Sequence, residues 1–75
     1  MTRLPNVPGA KAVKALQRDG WIVKSQKGSH VKLTKLGRSH FLIVPVHGGV
    51  TIPQGTLSNI LKDAGLSIEE FLDLL

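Results

Sequence analysis

Hydrophobic and polar positions alternate with two different periods along the chain. Ala12, Val13 and Leu16 recur at helical spacing, while Lys11, Lys14 and Arg18 follow i, i+3, i+7 on another face. This predicts a helix over residues 9–19, opened by Pro8-Gly9 and stopped by Gly20 in a left-handed conformation. Residues 1–7 form a lead-in, with Pro5 and Pro8 blocking regular structure. The period then falls to two. Residues 21–26 are rich in β-branched and aromatic side chains and predict a strand, with Trp21 and Val23 on one face and Ile22 and Lys24 on the other. Trp21 follows the helix stop directly, where a large ring wedges helix against sheet. Lys27-Gly28 is a tight connection, so the next strand, residues 29–35, returns antiparallel. Along it Val31 and Leu33 take one face, and His30, Lys32 and Thr34 the other.

Leu36-Gly37-Arg38 reads as the second turn. A third strand over residues 39–46 is apolar at most positions, which predicts a central strand or one covered on both faces. Pro45 marks its end. His47-Gly48-Gly49 is a flexible loop, and residues 50–52 are short and extended. Leu57, Ile60, Leu61 and Ala64 give a second helix an apolar stripe; it begins between Pro53 and Thr56 and ends at Gly65. Ser67 and Glu70 form a capping box, with Leu66 and Phe71 at the staple positions. Ile68, Phe71, Leu72 and Leu75 are expected to be the buried stripe of the last helix. The order is α-β-β-β-α-α in a single domain, residues 1–75. It predicts an α+β fold: a three-stranded antiparallel sheet with helices on one face and the other face free. Helix-strand-strand-strand-helix is also the order of the double-stranded-RNA-binding domain.

Size and charge narrow the function. A chain of 75 residues buries only about 60% of its unfolded surface, so a shallow site is expected rather than a deep cavity. The sequence has no cysteine, which removes disulfides and thiolate zinc sites and suits a reducing cytoplasm. No signal-peptide core and no apolar run long enough to cross a membrane is visible. The net charge of +5 is unevenly laid out: up to Leu61 the only acid is Asp19, against nine lysines and arginines. From Lys62 onward the balance reverses, with Asp63, Glu69, Glu70 and Asp73. A basic body with an acidic last helix suggests an anionic partner, nucleic acid first.

The candidate chemistry centres on Lys27-Gly28-Ser29-His30-Val31-Lys32. An imidazole titrates near ~6.5 and can both give and take a proton at cellular pH. Lys24, Lys27 and Lys32, with the Gly28 and Ser29 amides, are candidates to hold a phosphate beside His30. Lys11 and Lys14 on the first helix read either as a phosphate-tracking ridge or as a plainly solvated face. His47 is a candidate for a supporting role, as a second proton carrier, a phosphate contact or a structural residue. His40 reads as a surface residue. A metal pair of His30 and His47 is a poor prospect, since no cysteine or nearby carboxylate completes it. Gly48-Gly49 lacks the spacing of a nucleotide-binding loop.

Gly28-Ser29-His30, Val44-Pro45-Val46-His47-Gly48-Gly49, Gly55-Thr56-Leu57 with Ile60-Leu61, Ala64-Gly65-Leu66-Ser67 and Glu69-Glu70-Phe71-Leu72 follow one another in a specific order. This succession closely resembles the HicA family of bacterial toxins, over nearly the whole chain. The resemblance implies a small endoribonuclease that cuts mRNA until a HicB-type antitoxin covers it. It also implies a fold similar to double-stranded-RNA-binding domains and an active-site histidine after a Gly-Ser pair, here His30. RNA supplies its own 2′-hydroxyl nucleophile, so no cofactor is expected. A non-catalytic RNA-binding module and a protein-interaction domain are the competing readings. The first predicts lysine-dependent binding that is indifferent to His30, the second no salt-sensitive RNA affinity at all.

Overall fold

The computed structural model describes residues 3–75; Met1 and Thr2 of the lead-in lie outside the described residues. The elements are α1 (Gly9–Arg18), β1 (Ile22–Lys27), β2 (His30–Thr34), β3 (Leu42–Pro45), α2 (Gln54–Ala64) and α3 (Ile68–Leu74). The three strands form one antiparallel sheet in the order β1-β2-β3. Val31 and Leu33 of β2 and Leu42 and Val44 of β3 are buried on the face that meets the helices. Against them pack Ala12, Ala15 and Leu16 of α1, Leu57, Ile60, Leu61 and Ala64 of α2, and Phe71 of α3. The result is two layers around one core, as the alternation predicts.

Both long helices stop by the same device. After α1 the amide of Trp21 donates to the Leu16 carbonyl and that of Gly20 to Gln17, while Gly20 sits at φ +100°. After α2 the amides of Leu66 and Gly65 reach Leu61 and Lys62 in the same pattern. These paired bonds satisfy carbonyls that the helix end would otherwise orphan, and a left-handed residue is needed to make them. The first of them delivers Trp21 straight into the core beside Leu16, where it is almost fully buried. The capping box is present in full: the Glu70 amide donates to Ser67 Oγ at 3.1 Å, and the Ser67 amide to Glu70 Oε1 at 2.9 Å.

Three expectations need correction. β3 is not central: it is an edge strand, and β2 lies in the middle. Nor is it covered on both faces, because Ile43 is 40% exposed between buried Leu42 and Val44. Its apolar run reflects an open face that is itself partly apolar, and Pro45 is tolerated because an edge strand can lose a donor. Residues 39–41 precede the strand rather than begin it. Val23 stands opposite buried Leu33, on the helix side with Trp21 as expected, yet every residue of β1 is exposed, Val23 at 39%. The helices cover β2 and β3 and stop short of β1. In α3 only Phe71 is buried; Leu75 is 46% exposed, and Leu74 packs against the core in its place.

At the start of α1 the backbone of Gly9 lies against the Pro45 carbonyl and Val46 Cα, with no room for a Cβ. This contact joins the helix layer to the end of β3. Gly9→Ala should therefore destabilise the fold by about 1–3 kcal/mol through overpacking. Each kcal/mol lowers Tm by roughly 4–8 °C in a domain this small. Gly48→Ala, where a Cβ meets open space, should change stability by no more than about 0.5 kcal/mol. Denaturant unfolding of both variants checks the contrast; equal stabilities would remove the close approach as a constraint.

Candidate functional site: a histidine on the open sheet face

The site begins in the β1–β2 hairpin. Its two turn residues are Gly28 and Ser29, and Gly28 has φ +60° while Ser29 does not enter the left-handed region. Positive φ at the first turn position alone is the requirement of a II′ turn, and glycine meets it without strain. Lys27 and His30 flank the turn and pair directly across the strands, while on its other side His30 pairs with Pro45. The Ser29 carbonyl accepts the Val46 amide at 2.6 Å, which ties the turn to the strand beyond. His30 is exposed and Lys32 half-buried on the face opposite Val31 and Leu33, as alternation predicts.

The pairing between β1 and β2 contains a bulge. Val23 pairs with Leu33 and Ser25 with Lys32, leaving Lys24 as the extra residue. Unbroken alternation from Val23 would put Lys24 and Gln26 beside His30 and point Lys27 toward the helices. The bulge reverses that phase, so Ser25 and Lys27 stand on the His30 face. Lys24, expected beside the histidine, is displaced from it.

Two shallow grooves meet at His30 and Ile43. One is lined by Ser25, Lys27, His30, Lys32, Phe41 and Ile43. The other includes His30, Ile43, His47, Val50, Thr51 and Thr56. Neither has an acidic residue in its described lining. The Lys32 ammonium stands 4.1 Å from the centroid of the Phe41 ring, close enough for a cation–π attraction. His47 therefore shares a groove with His30. Phe41 and Ile43 were not singled out by the sequence; the available signal was two apolar residues two positions apart, and so on one face, in the expected third strand.

The remaining polar residues fall elsewhere. Lys11 and Lys14 line a separate groove on α1 with Arg18 and residues 5–8, and share nothing with His30. Arg18 Nη1 donates to the Leu74 carbonyl at 2.6 Å. Lys35 is drawn into an ion pair with Asp19 at 3.1 Å, beside the Trp21 ring. His40 Nε2 lies 2.9 Å from the Asp63 carbonyl and Arg38 Nη2 donates to Ala64 at 3.1 Å. Both serve the C-terminal carbonyls of α2, where unpaired acceptors and the helix dipole favour donors. Among the described residues no three His, Cys, Asp or Glu side chains are grouped so as to hold a metal ion, and no helix is long and apolar enough to cross a membrane.

Fold and site together define a small two-layer α+β domain that presents a solvent-facing histidine among lysines on an open sheet. The model of the HicA toxin of bacterial toxin–antitoxin systems matches residues 9–66. The chain belongs to that family and is the toxin member of such a pair, which gives it an antitoxin as its partner. The match runs from the first residue of α1 to the residue after the α2 stop, and α3 lies beyond it. No curated protein matches the sequence significantly.

The geometry separates the lysines by role. If the open face holds RNA, then in anisotropy titrations against a short single strand Lys27→Ala and Lys32→Ala should each lower the slope of log K against log salt by roughly 0.7. Lys35→Ala, whose charge is already paired with Asp19, should leave that slope unchanged. Equal slopes for all three variants would contradict the grouping.

Proposed function

We propose that this toxin is a metal-independent endoribonuclease, an mRNA interferase, in which His30 carries the proton. What supports the reading is the position of His30: exposed on the open face, with Lys27 directly across the hairpin and Lys32 two residues along the same face. The 2′-hydroxyl of RNA attacks the adjacent phosphorus, the bond to the 5′-oxygen breaks, and the products carry 2′,3′-cyclic phosphate and 5′-hydroxyl ends. A base removes the 2′-hydroxyl proton and an acid supplies one to the leaving oxygen. An imidazole serves either step, worth roughly 10²–10⁴-fold in rate. Charge developing on the phosphate oxygens is held by Lys27 and Lys32 and by the Gly28 and Ser29 amides. His47 contacts the same substrate from the second groove, as a support rather than the main proton carrier. Lys24 at the bulge and Lys11 and Lys14 on α1 add longer-range attraction for the polyanion. The work is done in the cytoplasm, where transcripts are, and slows translation under stress.

The antitoxin in this reading is of the HicB type and silences the toxin by laying acidic residues over His30 and the lysines, as the one-sided charge favours. In the complex the amides of β2 and of the Gly28 turn should gain protection from hydrogen exchange. A complex that leaves them as they are in the free toxin would rule out simple occlusion.

The decisive assay is a labelled transcript incubated in excess chelator with the wild type and with His30→Ala. The wild type should cleave and leave cyclic-phosphate ends. His30→Ala should lose at least about 100-fold in rate while binding the RNA with nearly unchanged affinity. Cleavage that stops on chelation, or an alanine variant that cuts normally, would overturn the proposal. An RNA-binding module without catalysis would bind in both proteins and cut in neither.

A further inference from the structure

The groove on the Lys27 side of His30 holds more than a phosphate needs. Its floor is apolar: Phe41 is 50% exposed and Ile43 40%, although a Phe ring normally has much of its large surface buried. The ring is not loosely placed, because Arg38 and His40 just before it are anchored to the end of α2. Two lysines rim this floor, Lys27 paired with His30 across the hairpin and Lys32 over the ring. An apolar ring bordered by lysines, with no carboxylate in the described lining, is what a nucleotide requires: a π face for the base and positive charge for the phosphates. An acidic peptide would satisfy the lysines but has no use for the exposed ring.

We propose that Phe41, backed by Ile43, is the base-stacking platform of a nucleotide subsite next to His30, so that the substrate is RNA with an unpaired nucleotide beside the scissile phosphate. This rests on the ribonuclease reading and deepens it. It also separates this protein from the duplex grip of double-stranded-RNA-binding domains, which follow the shape of paired RNA across its minor grooves. A base held in a duplex cannot lie flat on a side chain of the sheet. Lys32, in contact with the ring, stands within reach of the phosphate that joins the stacked nucleotide to the one at His30. Phe41 is thus a positioning and specificity residue rather than a proton carrier.

The test measures binding in the non-cleaving His30→Ala background, by anisotropy of a labelled short single-stranded RNA. The same RNA with abasic positions and the same sequence in a hairpin stem serve as comparison probes. Phe41→Ala should weaken single-strand binding roughly 5- to 150-fold, the range that loss of one base–aromatic stack gives. Phe41→Trp should bind at least as well as Phe, and Phe41→Leu should fall between. The Phe41→Ala penalty should vanish on the abasic RNA and on the stem; a penalty that merely reflects a displaced Lys32 would persist on both. Unchanged thermal unfolding of the variants confirms that the exposed ring is not a structural prop. If the background protein binds RNA and Phe41→Ala binds it equally, this inference fails while the ribonuclease reading stands. If no RNA is bound at all, both fail. If the penalty appears only in binding of the antitoxin, the face is a protein-docking surface and the subsite is overturned.

Discussion

Everything at the site depends on burying Val31 and Leu33 beneath the helices. Side chains of a strand alternate with a period of two, so the two buried positions force His30 and Lys32 outward. A slip of one residue in β2 would exchange the faces, burying a histidine and a lysine and exposing two core residues. The core thereby specifies the register of the chemistry. The helix stops reinforce it: bonds closing around Gly20 seat Trp21 against Leu16, which fixes where β1 begins, and the close approach of Gly9 to Pro45 and Val46 fixes where β3 ends.

Much of this was written in the local sequence. The stripes of α1 and α2, the left-handed stops at Gly20 and Gly65, the Ser67–Glu70 box and the outward phase of β2 each depend on residues a few positions apart. They were readable for that reason. The features that were not readable depend on partners distant in sequence. The bulge at Lys24 is a property of how β1 meets β2, and no residue in β1 announces it. That β3 is an edge strand depends on which strands pair, while its composition pointed to a covered position. Exposure of β1 follows from where the helices end. The exchange of Leu75 for Leu74 in α3 follows from docking a short helix whose own stripe is incomplete.

The same division applies to the site. His30, Lys27, Gly28, Ser29 and Lys32 lie within six consecutive residues, and the hairpin brings them together as the sequence suggests. Phe41 and Ile43 join them only because β3 lies beside β2. His47 arrives from the loop after β3. Lys11 and Lys14 belong to the helix layer and form a separate basic surface. The acidic residues of α3 sit beyond the segment that defines the family, on an element tied back to α1 through Arg18 and the Leu74 carbonyl. Negative charge is thus gathered away from the elements that carry His30.

The irregularity at Lys24 has a second effect. β1, like β3, is an edge of the sheet, and an unpaired edge invites another extended chain to continue the hydrogen-bonding ladder. A straight rim would offer an even row of amides and carbonyls for fibril-like stacking. Here the extra residue interrupts that row midway, and the ammonium groups of Lys24 and Lys27 repel an approaching identical strand. The distortion that aims Lys27 at the histidine also protects an all-exposed strand from self-association.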